Sequence, residues 1–282
     1  MGMVMKTQTA ILLAGTLVLG IGTPLLEAEA ATKRVHLVPH EAQYALSLAR
    51  TRPGGVVGAR GQMNYKLEST CSGWTMETRT TLTLSYAEGA DVDTVWEFVA
   101  FEARDGSNYS FFIRNTHNGA VDDVLEGGAT LTGSPATGTA RFKRPSIDPV
   151  PLPAGTLFPN AHTLAILEAA RKGQHFVSRT LFDGGSKEGP TLVTAVIGRP
   201  MAAPPRAAGQ DPLLRTPSWR MAIAFFPPEV DGAAPEDNAI PTYEVDVRYH
   251  DNGIAQDMVQ DFGSFSLASK LTGLHRLPEP DC

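Results

Sequence analysis

Alternation of apolar and polar residues is the feature of this 282-residue sequence that most constrains its fold. In an extended chain, successive side chains point to opposite faces, so alternation gives each strand one apolar and one polar face. This pattern predicts a mainly β protein with one solvated sheet face. The alternating segments are Ala42–Ala49, Gln62–Glu68, Trp74–Tyr86, Thr94–Glu102, Tyr109–Thr116, Gln174–Phe182, Thr191–Ile197, Trp219–Phe226, Thr242–Tyr249 and Phe262–Ala268.

Short turn sequences separate these segments. Asn-Gly and Asp-Gly pairs favour two-residue hairpin turns, because glycine and asparagine tolerate a positive φ. Consecutive strands should therefore pair antiparallel. The predicted turns are Pro53-Gly54-Gly55, Glu88-Gly89, Asp105-Gly106, Asn118-Gly119, Gly127-Gly128, Gly184-Gly185 and Asn252-Gly253.

One segment near the middle of the chain predicts a helix. Pro145–Pro159 contains five prolines and should be extended, since proline disfavours helix in the residue before it. Asn160–Gly173 then has apolar residues at helical spacing, with Asn160 as the expected cap and Gly173 as the end. The proline-rich stretches Arg199–Pro217 and Pro227–Pro241 are expected to be long loops within a single domain, residues 31–282.

Residues 1–30 have the pattern of a secretory signal peptide. Lys6 precedes the apolar run Ala10–Gly22, and small residues flank Glu29 at the expected cleavage point after Ala30. The alternative is a membrane anchor, but the run is shorter than the roughly 20 apolar residues that span a bilayer. We expect an exported, periplasmic protein that is not membrane-spanning after signal cleavage.

The charge balance argues against a nucleic-acid partner. Lysine and arginine total 24 against 30 acidic residues, and no basic run could neutralise a phosphate backbone. Only 19% of residues are charged, below the roughly 25% of soluble domains, which suggests apolar surface facing a cavity or a partner. The protein is expected to be a monomer.

Cys71 and Cys282 are the two cysteines of the chain. In an oxidising compartment, an isolated pair predicts a disulfide, with two free thiols as the alternative. A catalytic cysteine is not expected, because no histidine or positive charge near Cys71 would lower the pKa of its thiol.

No catalytic motif of high specificity is present, and no metal or cofactor is expected. His40-Glu41 resembles the start of a zinc-protease motif, but Tyr44 stands where the second histidine ligand should be. His36 and His40 straddle a proline in an extended segment, so we expect both to be exposed loop histidines, with metal ligation as the alternative. Aspartate pairs could serve glycoside chemistry or calcium, although their turn positions favour local hydrogen bonding: Asp91 with Asp93, and Asp122 with Asp123.

Aromatic residues are concentrated in three successive predicted strands and are expected to form one aromatic-rich face. This face either covers a filled core or encloses an apolar cavity, as in ligand-binding barrels. His162, in the first helical turn, would be a polar group at the mouth of such a cavity. The candidate ligand pocket is Trp74, Trp96, Phe98, Phe111 and His162; the remaining aromatics of this face are Phe101, Tyr109 and Phe112.

Four parts of the sequence resemble the EipB family of periplasmic cell-envelope integrity proteins: the opening strand Ala42–Leu48 after Pro39-His40, Cys71–Trp74, the segment Pro153–Thr163 that leads into the helix, and Cys282. The resemblance implies a β-spiral, which is an open, barrel-like antiparallel sheet wrapped around one central helix, with a disulfide between the two cysteines. It also implies a role in maintaining the envelope of Gram-negative bacteria under envelope stress, without catalytic residues.

The expected function is therefore that of a non-enzymatic periplasmic protein that supports envelope integrity by binding a lipid-like ligand or a periplasmic protein partner. Two alternatives remain open. One is a hydrolase of a cell-wall polymer that uses carboxylates such as Glu97, Glu102 or Asp123. The other is a scaffold that contacts periplasmic proteins through a strand edge or an exposed patch.

Overall fold

A computed structural model describes residues 34–52, 55–203, 211–227 and 240–282. The predicted signal peptide and most of the Pro53-Gly54-Gly55 turn lie outside these residues. The mainly β prediction is confirmed. The strands are β1 (His40–Thr51), β2 (Val56–Ser69), β3 (Gly73–Tyr86), β4 (Val92–Ala103), β5 (Asn108–His117), β6 (Ala120–Thr132), β7 (Thr137–Arg144), β8 (Val150–Leu152), β9 (Phe176–Leu181), β10 (Thr191–Ile197), β11 (Ser218–Phe225), β12 (Tyr243–His250), β13 (Ala255–Asp261) and β14 (Phe265–Arg276).

The strands form one antiparallel sheet that coils without closing. Its order runs from β8 through β1 to β14 and on to β9, so β8 and β9 are the two edges. The first and last strands are hydrogen-bonded to each other in the middle of the sheet, with Ala45 opposite Lys270. The helix between β8 and β9 connects the two edges. This is the predicted open, barrel-like spiral around a central helix.

A short parallel contact extends the β9 edge. The backbone N–H of Leu157 donates to the carbonyl of Thr180 at 2.9 Å, and the N–H of Phe182 donates to the carbonyl of Leu157 at 3.0 Å. The segment that leaves β8 therefore lies along β9 before the helix begins.

The helix α1 spans Pro159–Arg171, and the prediction that Asn160 caps it is wrong. Phe158 occupies the N-cap position and offers no side-chain hydrogen bond, since its ring is apolar. Gly173 ends the helix as predicted, with a φ of +72° that glycine adopts without strain.

Four strands were not predicted, namely β6, β7, β8 and β13, and the predicted turn Gly127-Gly128 is wrong. Gly127 lies inside β6, directly opposite Phe111. A Cβ at Gly127 would come within 2.7 Å of the Phe111 ring and 2.5 Å of the Arg141 carbonyl. The glycine is thus needed for close packing rather than for a turn.

The interior is filled mainly by one cluster of buried apolar side chains from both halves of the sheet and from the helix. The predicted single aromatic face is only partly correct. Phe101 is paired with Thr75, and Phe112 with Val99, so both lie on the outer face of the sheet. The other predicted aromatics alternate with them and face inward.

The predicted disulfide is confirmed. Cys71, in the β2–β3 turn, is bonded to Cys282, with their Cα atoms 5.7 Å apart. Arg104 holds this turn from the neighbouring hairpin, because its guanidinium donates to the Thr70 carbonyl at 2.6 Å and lies 4.6 Å from the centre of the Trp74 ring. Cys282 is therefore attached to a turn whose position is fixed by Arg104.

Within the described residues, no helix has the length and apolar character needed to cross a membrane. The same residues contain no group of three or more His, Cys, Asp or Glu side chains arranged to hold a metal ion. His36 and His40 have different surroundings, and the expectation that both are exposed is wrong for His40. The exposed His36 pairs with Glu279 at 3.3 Å, whereas the buried His40 contacts the Val38 carbonyl at 2.7 Å.

Candidate functional site

A cavity of about 360 Å³ lies between the helix and the inner face of the sheet. This volume is within the range of about 300–1,000 Å³ that small-molecule pockets occupy. Its walls come from both halves of the spiral, because β3 to β6 line it from the first half and β9, β11 and β12 line it from the second. The lining residues are Thr78, Trp96, Phe98, Ile113, Asn115, Asp123, Leu125, Pro159, His162, Thr163, Ile166, Leu181, Asp183, Gly185, Ile223, Phe225 and Tyr249.

Most of this lining is apolar, and one part of it is exposed. Trp96 and Phe98 stack with parallel rings whose centres are 5.6 Å apart, and Trp96 is 37% exposed. Both point inward from β4, since they alternate with the outward-facing Glu97. An apolar ligand could therefore contact an accessible aromatic surface that continues into the buried cavity.

His162 is the most unusual polar residue of the cavity. It is only 6% exposed, and its Nε2 atom has no hydrogen-bond partner within the described structure. Burial, and secondarily the positive charge of Arg179, lower the pKa of His162 to about 4. The imidazole is therefore neutral at pH 7 and can form a hydrogen bond to a ligand without contributing a charge.

Glu102 fixes the orientation of the helix that carries His162. This fully buried carboxylate accepts hydrogen bonds from the backbone N–H groups of Asn160 at 2.7 Å and Ala161 at 2.8 Å. It replaces the missing side-chain cap, and a negative group is also favoured by the helix dipole at this end. Burial raises the pKa of Glu102 to about 7, and the two backbone hydrogen bonds oppose that rise.

The other end of the helix is held by an ion pair. Arg171 in the last turn donates to both carboxylate oxygens of Asp251, one of them at 2.7 Å. Asp251 lies in the turn between β12 and β13, so the helix is anchored to the first half of the sheet at its start and to the second half at its end. His162 is consequently held in a fixed position relative to the cavity walls.

Two carboxylates line the cavity, and their local hydrogen bonds are already formed. Asp123 accepts from the backbone N–H of Val124 at 2.9 Å, and Asp183 accepts from that of Gly185 at 2.8 Å. Burial raises the pKa of Asp183. Among the described residues, no lysine or arginine lines this cavity.

A second, smaller cavity of about 130 Å³ lies beside the first. Thr163 and Tyr249 line both cavities and therefore separate them. Asn160, which is 3% exposed and has an unpartnered Nδ2 atom, lines the smaller one. The two cavities thus meet opposite sides of the first helical turn.

Three of the five predicted pocket residues meet at the cavity of about 360 Å³, namely Trp96, Phe98 and His162. The other two are buried elsewhere. Trp74 packs under Arg104, and Phe111 lies 5.2 Å from Phe142 and 5.8 Å from Phe182 between ring centres. All five face the interior, and the curvature of the sheet decides which of them border open space.

Glu102 and Asp183 are functional candidates that their sequence context does not identify. From the sequence, Glu102 is only a candidate catalytic carboxylate, because its contacts with α1 join residues 58 and 59 positions apart. Asp183 follows an apolar strand and precedes two glycines, which indicates a turn. Its backbone carbonyl accepts from the hydroxyl of Tyr109 at 3.0 Å, a contact that brings the β9–β10 loop to the cavity.

The carboxylates suggested for hydrolysis do not gather in one cleft. Glu97 lies on the outer face of β4 and is paired with Arg79. Glu102 is occupied by the helix N-terminus, and only Asp123 of the three lines the cavity. The prediction that the paired aspartates lie in turns is wrong for three of them, because Asp93 lies in β4 and Asp122 and Asp123 lie in β6. Their partners are nonetheless local: Asp91 pairs with Arg60, Asp93 accepts from Thr83, and Asp122 pairs with His117.

Comparison with known proteins agrees with this architecture. The model of the family described as EipB-like matches residues 31–278. The chain is 29% identical over 254 residues to the cell envelope integrity protein EipB of Brucella abortus (strain 2308), covering 88% of this chain and 87% of that protein. A crystal structure of a β-barrel-like protein of the domain of unknown function DUF1849, also from Brucella abortus, superposes with a TM-score of 0.77 at 27% identity and covers 86% of this chain and 100% of that chain. The chain therefore belongs to the EipB-like family.

Proposed function

We propose that this protein is an exported, periplasmic protein that supports cell-envelope integrity by binding a lipid-like ligand in the cavity between α1 and the sheet, without catalysing a reaction. Family membership and the printed function of the Brucella relative support the envelope role. The disulfide supports an oxidising compartment such as the periplasm, because reducing compartments keep thiols apart.

The observation that carries the binding proposal is the cavity itself. A volume of about 360 Å³ is lined mainly by aliphatic and aromatic side chains, with one unpartnered buried nitrogen on its wall. Protein interiors are normally close-packed, so a cavity of this size with an exposed aromatic entrance is typical of a binding site.

The test is to measure whether the cavity takes up a hydrocarbon. Residues 31–282 would be purified from the periplasm, extracted for co-purified lipid, and titrated with diphenylhexatriene, which fluoresces in apolar surroundings. We expect saturable binding and a lipid detectable by mass spectrometry. Absence of both would contradict the proposal.

A matched pair of variants locates the binding. Thr78 lines the cavity from β3, whereas Thr81 on the same strand is exposed on the outer face. Thr78→Trp should fill part of the cavity and weaken binding at least about fivefold, while Thr81→Trp should leave it unchanged. Equal binding by both variants, at equal melting temperature, would place the ligand elsewhere.

A periplasmic protein partner is the alternative route to the same envelope role. Cross-linking in intact cells, followed by identification of the captured protein, separates the two. Capture that persists in the Thr78→Trp variant, together with a failure to bind hydrocarbon, would favour the protein partner.

A further inference from the structure

We infer that the cavity selects an amphiphile whose head is uncharged and carries a hydroxyl or carbonyl oxygen, and that it discriminates against free carboxylates and phosphates of the same chain length. The inference rests on the proposed binding function and specifies the ligand. His162 is the specificity-determining residue, because its Nε2 atom is, among the described residues that line the cavity, the fully buried side-chain polar atom that lacks a hydrogen-bond partner.

Three other polar groups on the wall already have partners. The hydroxyl of Thr163 donates to the Pro159 carbonyl at 3.0 Å, and the two wall aspartates accept from backbone N–H groups. A buried nitrogen without a partner is costly, so a ligand oxygen that reaches His162 gains a hydrogen bond the empty protein lacks. A hydroxyl suits either tautomer of the ring, since it can both donate and accept.

The charge of the wall opposes an anionic head. Asp123 and Asp183 are the acidic side chains that share the lining with His162, and the phenol of Tyr249 stays neutral because burial raises its pKa. The low pKa of His162 keeps its ring from supplying a positive charge. A carboxylate or phosphate placed there would lose hydration without gaining a counter-charge.

Arg179 is the cation that acts on His162 electrostatically. Its exposed guanidinium donates to the Ser178 carbonyl of its own strand at 2.7 Å, and it does not belong to the cavity lining. Because water screens an exposed charge strongly, Arg179 should give little affinity for an anion inside the cavity.

The experiment compares four amphiphiles that share a twelve-carbon chain: monolaurin, laurate, dodecyl phosphate and dodecylammonium. Each would displace diphenylhexatriene from the mature protein at pH 7.5, below its micellar concentration. We expect monolaurin to displace the probe at a concentration at least tenfold lower than laurate or dodecyl phosphate. Equal or tighter binding of either anion, or tighter binding of dodecylammonium, would overturn the inference.

Variants then assign the effect to residues. His162→Phe should weaken monolaurin binding about tenfold while keeping the affinity for diphenylhexatriene within about twofold of wild type. His162→Gln keeps an N–H donor and a carbonyl acceptor, so it should recover part of the lost monolaurin affinity. Asp123→Asn should reduce the difference in affinity between monolaurin and laurate, whereas Arg179→Gln should leave that difference unchanged. An unchanged monolaurin affinity in His162→Phe would overturn the role of His162.

The outcomes separate this inference from the proposed function. If diphenylhexatriene does not bind at all, the lipid-binding function itself fails. If diphenylhexatriene binds and the anions displace it as well as monolaurin does, the cavity binds apolar ligands but the head-group selectivity fails.

Discussion

Glu102 couples the sheet to the helix through a single buried carboxylate. It accepts two backbone hydrogen bonds at the start of α1 and is fully buried. Removing it would leave two buried N–H groups without partners, whereas Glu102→Gln keeps one acceptor oxygen. We expect Glu102→Ala to lower the free energy of unfolding by about 2–4 kcal/mol and Glu102→Gln by less. Urea unfolding measures the free energy of unfolding of both variants. The control is Glu97→Gln, on the outer face of the same strand, which should lower that free energy by no more than about 1 kcal/mol.

Glu102 should make the stability of the folded protein depend on pH, and the shift of its pKa gives the direction. Its pKa in the folded protein is about 7, above the ordinary value of 4.5, so the folded state binds the proton more tightly than the unfolded state. Its contribution to stability is therefore greatest below pH 4.5 and is lost as the pH rises towards 7. Tyr65 and Tyr109, which face it, stay neutral over this range because burial raises the pKa of each.

Buried histidines act in the opposite direction, so the wild-type protein alone does not isolate Glu102. The pKa values of His40, His162 and His250 are lowered by burial, and their contribution is lost as the pH falls. The informative quantity is the difference in unfolding free energy between wild type and Glu102→Gln, measured from pH 5 to 8. We expect wild type to lose stability relative to the variant as the pH rises; a pH-independent difference would contradict this.

The C-terminal segment is held by a disulfide to the β2–β3 turn and by a backbone hydrogen bond to the residue before β1. Cys282 is bonded to Cys71, and Leu277 donates its backbone N–H to the Pro39 carbonyl at 3.0 Å. In the chain-entropy model, a cross-link over 211 positions stabilises a protein by roughly 5 kcal/mol, and measured values are usually about 2–4 kcal/mol. We expect the double variant Cys71→Ser, Cys282→Ser to lose about 2–4 kcal/mol of unfolding free energy.

Reductant provides the control for this loss. Dithiothreitol should lower the melting temperature of the wild type and leave that of the double variant unchanged. If the variant loses diphenylhexatriene binding while keeping most of its stability, the disulfide would also be required for the shape of the cavity. An unchanged wild-type melting temperature after verified reduction would contradict a stabilising role.

The two halves of the sheet are joined by the pairing of its first strand, β1, with its last strand, β14. β1 lies between β2 and β14, so the centre of the sheet joins strands more than 200 residues apart, whereas the β8 and β9 edges each have one strand neighbour. Edge strands open with less loss of structure than central ones. We expect backbone amides of β1 and β14 to exchange with solvent more slowly than those of β8 and β9.

Hydrogen exchange followed by mass spectrometry measures this gradient. Monolaurin should slow exchange in α1 and in the β9–β10 loop, which border the cavity, and should leave the β2–β3 turn unchanged. Uniform exchange along the sheet would contradict the idea that the spiral opens from its edges.

Much of this architecture was predictable because the signals are local. In the segment Thr191–Ile197 the predicted and observed strand bounds agree. At Asn118-Gly119 both residues have positive φ, at 49° and 81°, as the predicted hairpin turn requires. The β8 strand was missed because three residues, one of them proline, are too short to show alternation.

Periodicity and turn chemistry act over a few residues, and they sufficed to predict the antiparallel sheet and a helix with strands on both sides of it in the sequence. The disulfide was also predictable, because the sequence has two cysteines and its predicted signal peptide indicates an oxidising compartment. The cap on α1 and the cavity required tertiary structure. Glu102 reaches the helix only because the sheet curves around it, and whether inward side chains meet or leave space depends on how two distant halves of the chain pack against each other.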